Sequence, residues 1–167
     1  MIWLIGIDDT DNKNSRGTGF KSRQLGKDII DHEIGEVLSI SRHQLFVNDQ
    51  IAYTSQNSSA CLMVKSTNYN GLKAFCIKYL KNVAETGSDA GLCIARDDQV
   101  NERIITWGKR AKKEVLVKQA AYDLATQSGI FLEGYTGTKI GVIGALAAVG
   151  LRKYGNDGRN IWLKGKE

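Results

Sequence analysis

Three aspartates, Asp8, Asp9 and Asp11, lie within four residues of one another at the end of an apolar stretch from Ile2 to Ile7. Carboxylates this close repel each other, so a cation that neutralises them would stabilise the cluster. Their oxygen atoms suit a hard divalent ion, and Mg²⁺ is the ion that we expect. The three aspartates are therefore candidate metal ligands. Because aspartate and threonine also form ordinary turns, a purely structural loop is the alternative interpretation.

A glycine turn, Gly17-Thr18-Gly19, follows the aspartates and precedes a segment with helical spacing of apolar residues. Backbone N–H groups at such a turn, and at the start of the helix behind it, can bind phosphate. The spacing predicts a helix over residues 18–32 whose N-terminus faces the acidic loop. A strand, an acidic loop, a glycine turn and a helix together indicate a metal–nucleotide site, with Thr10 and Thr18 among its candidate nucleotide ligands.

Two polar segments supply further candidates. Arg42 carries a permanent charge that can bind an anion through two parallel bonds, and His43 titrates near neutral pH. A nearby carboxylate could instead satisfy either side chain. The hydroxyls and amides of residues 53–59 could bind phosphate or sugar oxygens, with Asn57 and Ser58 as ligands, or could form a plain polar loop. The candidate catalytic residues are Asp9, Asp11 and His43.

A second glycine-rich stretch, residues 134–144, precedes a segment of small and apolar residues. Its candidate nucleotide ligands are Gly137, Thr138, Lys139, Gly141 and Gly144. The lysine is placed to neutralise phosphate charge, although the spacing is not that of a Walker A loop. Close packing of the last two glycines against a strand is the structural alternative, and both interpretations can hold together.

The composition is that of an ordinary globular protein, with 42% hydrophobic and 25% charged residues in 167. No apolar run approaches the roughly 20 residues that span a bilayer, and the first residues lack a signal peptide's basic leading region. We therefore expect a cytoplasmic protein without a membrane partner. The net charge of +5 permits attraction to nucleic acid or anionic nucleotides. Cys61, Cys76 and Cys93 lack metal-like spacing and are expected to be buried free thiols.

Apolar periodicity predicts alternating strands and helices. The expected strands are 2–7, 36–40, 60–64, 90–95, 130–132 and 160–163. The expected helices are 18–32, one from an N-cap at Asn70 to a stop at Gly87, a tract over 101–128 that could break near Gly108, and 142–150. The first helix should carry Lys21 on its polar face, and the last should be buried because it is apolar all round.

This alternation predicts an α/β or α+β fold, a mixed sheet covered by helices. The middle portion has the β-α-β-α content of a ferredoxin-like unit. We expect one compact unit over residues 1–167. It could divide into a nucleotide-binding, kinase-like lobe (1–58 plus 129–167) and a ferredoxin-like lobe (59–128).

The segment Gly6-Ile7-Asp8-Asp9-Thr10-Asp11 resembles the N-terminal signature of the archaeal isoleucine-tRNA agmatinylcytidine synthetase family. Further segments resemble motifs of small stand-alone relatives, and the resemblance covers essentially the whole chain. These segments are Arg42-His43-Gln44-Leu45, Thr54-Ser55-Gln56-Asn57-Ser58-Ser59, residues 137–147 and Gly155-Asn156-Asp157-Gly158-Arg159. The family enzyme uses ATP to attach agmatine to the wobble cytidine of its tRNA, through a kinase-like domain beside a ferredoxin-like domain.

The chain also departs from the family. The full enzyme carries an OB-fold and a zinc ribbon that hold tRNA, and the cysteines here cannot form such a ribbon. The family's autophosphorylated threonine lies just after its glycine turn, where this chain has Phe20-Lys21-Ser22 after a longer loop. Thr18 is nearby but is not equated with that threonine. The resemblance therefore implies nucleotide binding, and it does not imply tRNA modification by this chain alone.

The leading hypothesis is an enzyme that uses ATP and Mg²⁺ to transfer a phosphoryl or nucleotidyl group to a small molecule or an RNA base. In this hypothesis Asp11 or His43 acts as a base. The rival hypothesis is a non-catalytic module that binds nucleotide or tRNA beside separately encoded RNA-binding subunits. A regulatory protein that senses a small ligand is a third option. The acidic cluster favours the enzyme, since carboxylates repel phosphate unless a cation intervenes.

Overall fold

A computed structural model of the chain describes residues 1–8, 17–46, 58–84 and 87–166, which form one sheet with helices on both faces. The strands are β1 (Ile2–Asp8), β2 (Glu36–Gln44), β3 (Ser58–Lys65), β4 (Gly91–Arg96), β5 (Phe131–Gly134) and β6 (Arg159–Leu163). The helices are α1 (Thr18–Asp31), α2 (Tyr69–Val83), α3 (Glu102–Ala111), α4 (Lys118–Ser128) and α5 (Gly141–Tyr154), with a 3₁₀ turn at Asp97–Gln99. The expected α+β class, with helices covering a sheet, is confirmed.

The six strands follow the order β5-β4-β1-β3-β2-β6, and every neighbouring pair is antiparallel. The first strand of the chain is therefore a central strand. It pairs with β3 and β4, which come from the middle of the chain, and its residues from Trp3 to Asp8 are all buried. Because a strand points alternate side chains to opposite faces, β1 contributes to two cores.

One core contains Trp3, Ile5 and Ile7 and is covered by α1 and α2. The other contains Leu4 and is covered by α3, α4 and α5. The second core depends on α5, whose residues are buried from Gly144 to Leu151 as its apolar sequence predicts. This helix lies with its backbone directly on the sheet, since a Cβ at Gly6 would overlap the Ala145 carbonyl and one at Gly91 would overlap Gly141.

Several boundaries differ from those predicted. β2 continues to Gln44, four residues beyond the expected end. The N-cap of α2 is Asn68 and not Asn70, since the Asn68 side chain accepts a 3.0 Å hydrogen bond from Gly71 N, and the helix ends at Val83. The long helical tract breaks between α3 and α4 and not near Gly108. That glycine lies inside α3, where a Cβ would come within 2.9 Å of the Ala147 carbonyl oxygen of α5.

The three cysteines are free and buried, as expected. Burial raises the pKa of the Cys61 and Cys76 thiols to about 12, so both stay protonated and unreactive near neutral pH. Within the described parts of the chain, none of the helices combines the length and the apolar character needed to cross a membrane.

We expect Gly6→Ala to destabilise the fold, because the added methyl would force α5 away from β1. The free energy of unfolding should fall by about 1–3 kcal/mol, the usual range for overpacking. Urea denaturation measures this loss. Gly19→Ala is the matched control, because its Cβ would lie 3.8 Å from Ile161 Cδ1, an ordinary contact. Equal stabilities of the two variants would contradict the close approach of α5.

Candidate functional site

The carboxyl end of β1 is the edge of the sheet around which the described candidate residues lie. The helix α1 follows β1 in the chain, and α5 follows β5, which runs parallel to β1 because β4 lies antiparallel between them. Both helices therefore begin at this edge, on opposite faces of the sheet. Two partially positive helix N-termini are thus directed to the same end of β1.

Asp8, the last residue of β1, is buried, with 7% of its surface exposed. Its carboxylate lies against Gly144 in the first turn of α5, where any Cβ would overlap Asp8 Oδ2. A Cβ at Gly141 would come within 3.0 Å of the Asp8 carbonyl oxygen. The two glycines therefore pack against the strand end, and this packing places a carboxylate under a helix N-terminus.

Three strands place a row of polar residues across this edge. Ser59 of β3 is the register partner of both Asp8 of β1 and His43 of β2. All three residues are buried. Among the residues that the structure describes, the Ser59 hydroxyl has no hydrogen-bond partner, which is unusual for a buried polar group.

His43 belongs to a hydrogen-bonded chain. Its Nδ1 lies 2.9 Å from Asp157 Oδ1 and its Nε2 lies 2.8 Å from Ser41 Oγ. Lys112 Nζ lies 2.9 Å from the other carboxylate oxygen of Asp157 and donates a 2.6 Å bond to the Gln44 carbonyl oxygen. These contacts join the end of β2 to the end of α3 and to the turn before β6.

The charged groups around His43 determine which of its two ring nitrogens carries the proton. Burial lowers the pKa of His43, and the positive charges of Lys112 and Arg152 lower it further, against the opposing effect of Asp157. Burial alone would raise the pKa of Asp157, but the bonds from Lys112 and His43 outweigh burial and lower it. A neutral imidazole beside a carboxylate carries its proton on Nδ1, so Nε2 accepts a hydrogen bond from the Ser41 hydroxyl.

The glycine-rich turn before α5 is organised by an aspartate. Asp89 Oδ1 accepts hydrogen bonds from Thr138 N (2.6 Å) and Thr138 Oγ1 (2.9 Å), and its carbonyl oxygen accepts a bond from Gly141 N (2.7 Å). Lys139 N donates to the Thr136 carbonyl oxygen at 2.9 Å. Several backbone donors expected to hold phosphate therefore bind acceptors of the protein itself. Gly137 is needed here because its φ is +53° and a Cβ would overlap Asp89.

The remaining described candidates lie around the same edge. The N-cap of α1 is Gly17, with φ +91°, and Gly17, Thr18 and Gly19 are half-buried. Arg42 Nε donates a 3.2 Å hydrogen bond to Ser58 Oγ. Lys21, expected on the polar face of α1, is instead buried, with 5% of its surface exposed.

Four candidates, Asp9, Thr10, Asp11 and Asn57, lie outside the described residues. Within the described ranges, three or more His, Cys, Asp or Glu side chains do not come together as a metal site. Sequence reasoning did not single out Ser41, Asp89, Lys112 or Asp157, and it included Ser59 only as part of the polar segment 53–59. The only available signal was that Ser59 and Asp157 lie in segments that carry the family resemblance.

The fold is shared with solved structures whose names refer to tRNA. The "tRNA fluorescent labeling enzyme" is 23% identical with a TM-score of 0.77, over 90% of this chain and 36% of that chain. The TiaS–tRNA(Ile2)–ATP complex is 22% identical with a TM-score of 0.78, over 90% of this chain and 36% of that chain. Apo TiaS (tRNAIle2 agmatidine synthetase) is 22% identical with a TM-score of 0.76, over 90% of this chain and 35% of that chain.

This chain has the fold of a segment of these three solved structures, and it spans about a third of their length. At this level of identity the similarity establishes the common fold. No protein-family model matches the chain, and neither does any curated protein.

We expect acid to destabilise the protein through His43 and Asp157. Since the pKa of His43 in the folded state lies below 6.5, the unfolded chain binds a proton first as the pH falls below that value. The lowered pKa of Asp157 acts in the same direction below about 3.8. The free energy of unfolding should therefore decrease on acidification, by up to about 1.4 kcal/mol per pH unit for one proton.

Denaturation at a series of pH values measures this effect. His43→Gln should lower stability at pH 7.5 and flatten the dependence just below pH 6.5. The exposed His32 lies outside the network, so His32→Gln should keep the wild-type dependence. An unchanged slope in His43→Gln would show that this histidine is not the titrating group.

Proposed function

We propose that the chain binds ATP together with Mg²⁺ at the carboxyl end of β1 and transfers a phosphoryl or nucleotidyl group. The observation that carries the proposal is the buried Asp8 carboxylate under the first turn of α5. The shared fold supports it, because the similar structures include TiaS complexes with tRNA(Ile2) and ATP and with AMPCPP and agmatine.

The residues at this edge fit a magnesium ion. Mg²⁺ is usually held by one or two carboxylates, with water and substrate phosphates completing its octahedral shell. Asp8 supplies one carboxylate, and Asp9 and Asp11 are the further acidic ligands that we propose. When bound, the ion would neutralise charge on the phosphates during the transfer.

Phosphate binding is proposed for the α1 side of the edge. The Gly17–Gly19 turn presents the helix N-terminus, while Arg42 and Lys21 contribute positive charge. The turn at Gly137–Lys139 has a different role in this proposal, since its donors are occupied by Asp89 and Thr136. It holds the start of α5 in place, and the exposed Lys139 adds charge.

His43 is proposed as a positioning residue. Both of its ring nitrogens are bonded within the protein, and its side chain is fully buried. It fixes the end of β2, and with it Arg42, beside the Ser58–Ser59 start of β3. Of the two bases considered, Asp11 is then the remaining candidate for activating an acceptor.

The second candidate function is a non-catalytic module that binds nucleotide or tRNA beside separate RNA-binding subunits. Exposed positive charge at the end of α3, on Lys109 and Lys113, favours this alternative. Such charge attracts nucleic-acid phosphates. A tRNA, a small-molecule amine or both are the acceptors to be tested.

Asp8→Asn should weaken Mg²⁺-dependent ATP binding by at least about tenfold, because it removes a charged metal ligand. Isothermal titration calorimetry with AMPCPP and MgCl₂ measures the affinity. Gly144→Ala should weaken it as well, since the methyl overlaps the Asp8 carboxylate. The control is Asp98→Asn, an exposed aspartate beyond the opposite end of β4 that pairs with Arg96. Equal affinity in wild type and Asp8→Asn would contradict the metal assignment.

The two candidate functions separate in a turnover assay. Labelled ATP and Mg²⁺ are incubated with the protein, with and without tRNA and a panel of amines. The enzyme hypothesis expects product, and Asp9→Asn should abolish it. Binding of ATP without turnover under every condition would favour the module and refute the transferase.

A further inference from the structure

We infer that the Ser59 hydroxyl is a direct ligand, next to Asp8, of the divalent cation at the carboxyl end of β1. The inference rests on the proposed function and names a ligand that sequence reasoning did not assign. It is carried by the unpartnered, buried state of this hydroxyl and by its place in the sheet.

Burying the Ser59 hydroxyl without a hydrogen bond costs free energy of folding. The residue is 1% exposed, and Ser59 Oγ has no hydrogen-bond partner within the described ranges of the chain. A buried polar atom without a partner normally marks a bound water, an ion or a functional role. Across the described residues, two other side chains, Ser39 and Tyr135, share this state. Of the three, Ser59 is the one paired in register with a buried carboxylate.

The sheet directs Ser59 to the same face as Asp8. Cys61, two residues along β3, lies in the core under α5, so Ser59 points to that face as well. Asp8 lies on that face against Gly144. Directly paired residues of antiparallel strands have Cβ atoms about 5 Å apart, so one ion can reach both side chains.

The polar groups of β2 and α5 described next bond to other partners, so the Ser59 oxygen can bind an ion. On the β2 side, His43 uses Nε2 for Ser41 and Nδ1 for Asp157. At the start of α5, Val142 N donates to the Lys139 carbonyl oxygen and Ile143 N to that of Ile140. A carboxylate and a neutral hydroxyl form the hard oxygen set that Mg²⁺ prefers, and a serine or threonine hydroxyl on Mg²⁺ is established in P-loop NTPases.

The test measures cation binding directly. Mn²⁺, a paramagnetic substitute for Mg²⁺, is titrated into the protein with AMPCPP and followed by electron paramagnetic resonance. Ser59→Ala should weaken Mn²⁺ binding roughly tenfold, the loss expected for one bond to a charged group. Ser39→Ala is the matched control, because it removes another buried unpartnered hydroxyl, paired with Met63 further along the sheet. Circular dichroism checks that each variant is folded.

Ser59→Cys distinguishes a ligand from a structural hydroxyl. A thiolate ligand favours a soft ion, so this variant should bind Cd²⁺ with a thiolate-to-metal charge-transfer absorption. The band should be absent from wild type, whose three cysteines are buried and protonated, and from the double variant Asp8→Asn/Ser59→Cys. A folded Ser59→Ala with wild-type Mn²⁺ affinity, or Ser59→Cys without the Cd²⁺ band, would overturn the inference alone. A wild type that binds no Mn²⁺ with AMPCPP would overturn the proposed function as well.

Discussion

The close approach of α5 to the central strands is the constraint on which the structure depends. Glycines on both surfaces make it possible, with Gly6 and Gly91 on the sheet and Gly141 and Gly144 on the helix. Backbone then lies on backbone, so the helix N-terminus reaches the end of β1 and covers the Asp8 carboxylate. The close approach of α5 therefore determines both the packing of the core beneath it and the electrostatics around Asp8.

Much of the fold could be predicted because its central elements have strong local patterns. The apolar run of β1 and the small, apolar sequence of α5 both indicate burial. The end of β2 was missed because Ser39, Ser41 and His43 are polar residues that face inward, which hides the alternation of a strand. The break in the helical tract was misplaced because Gly108 serves a helix contact, which a single-sequence pattern does not reveal.

The candidate site could be described from the sequence where its residues lie in short motifs, as with Asp8 and the glycines before α5. It was not predictable where distant segments meet. His43 and Asp157 are 114 positions apart, and Lys112 lies among exposed basic residues at the end of α3. Asp89 gave no signal, because its role is to accept hydrogen bonds from a turn 49 residues away. Tertiary contacts therefore define what several site residues do.

Ser41, His43 and Asp157 are bonded in the same order as the nucleophile, base and orienting acid of a serine hydrolase. Yet the serine is only 3% exposed and the histidine is enclosed by the turn at Gly158. Within the described part of the chain, this burial leaves the Ser41 hydroxyl closed to a peptide or ester. Judged by its interatomic distances alone, this triad would be assigned to an acyl-transfer enzyme. Solvent access to the serine is therefore a second criterion for recognising a catalytic triad.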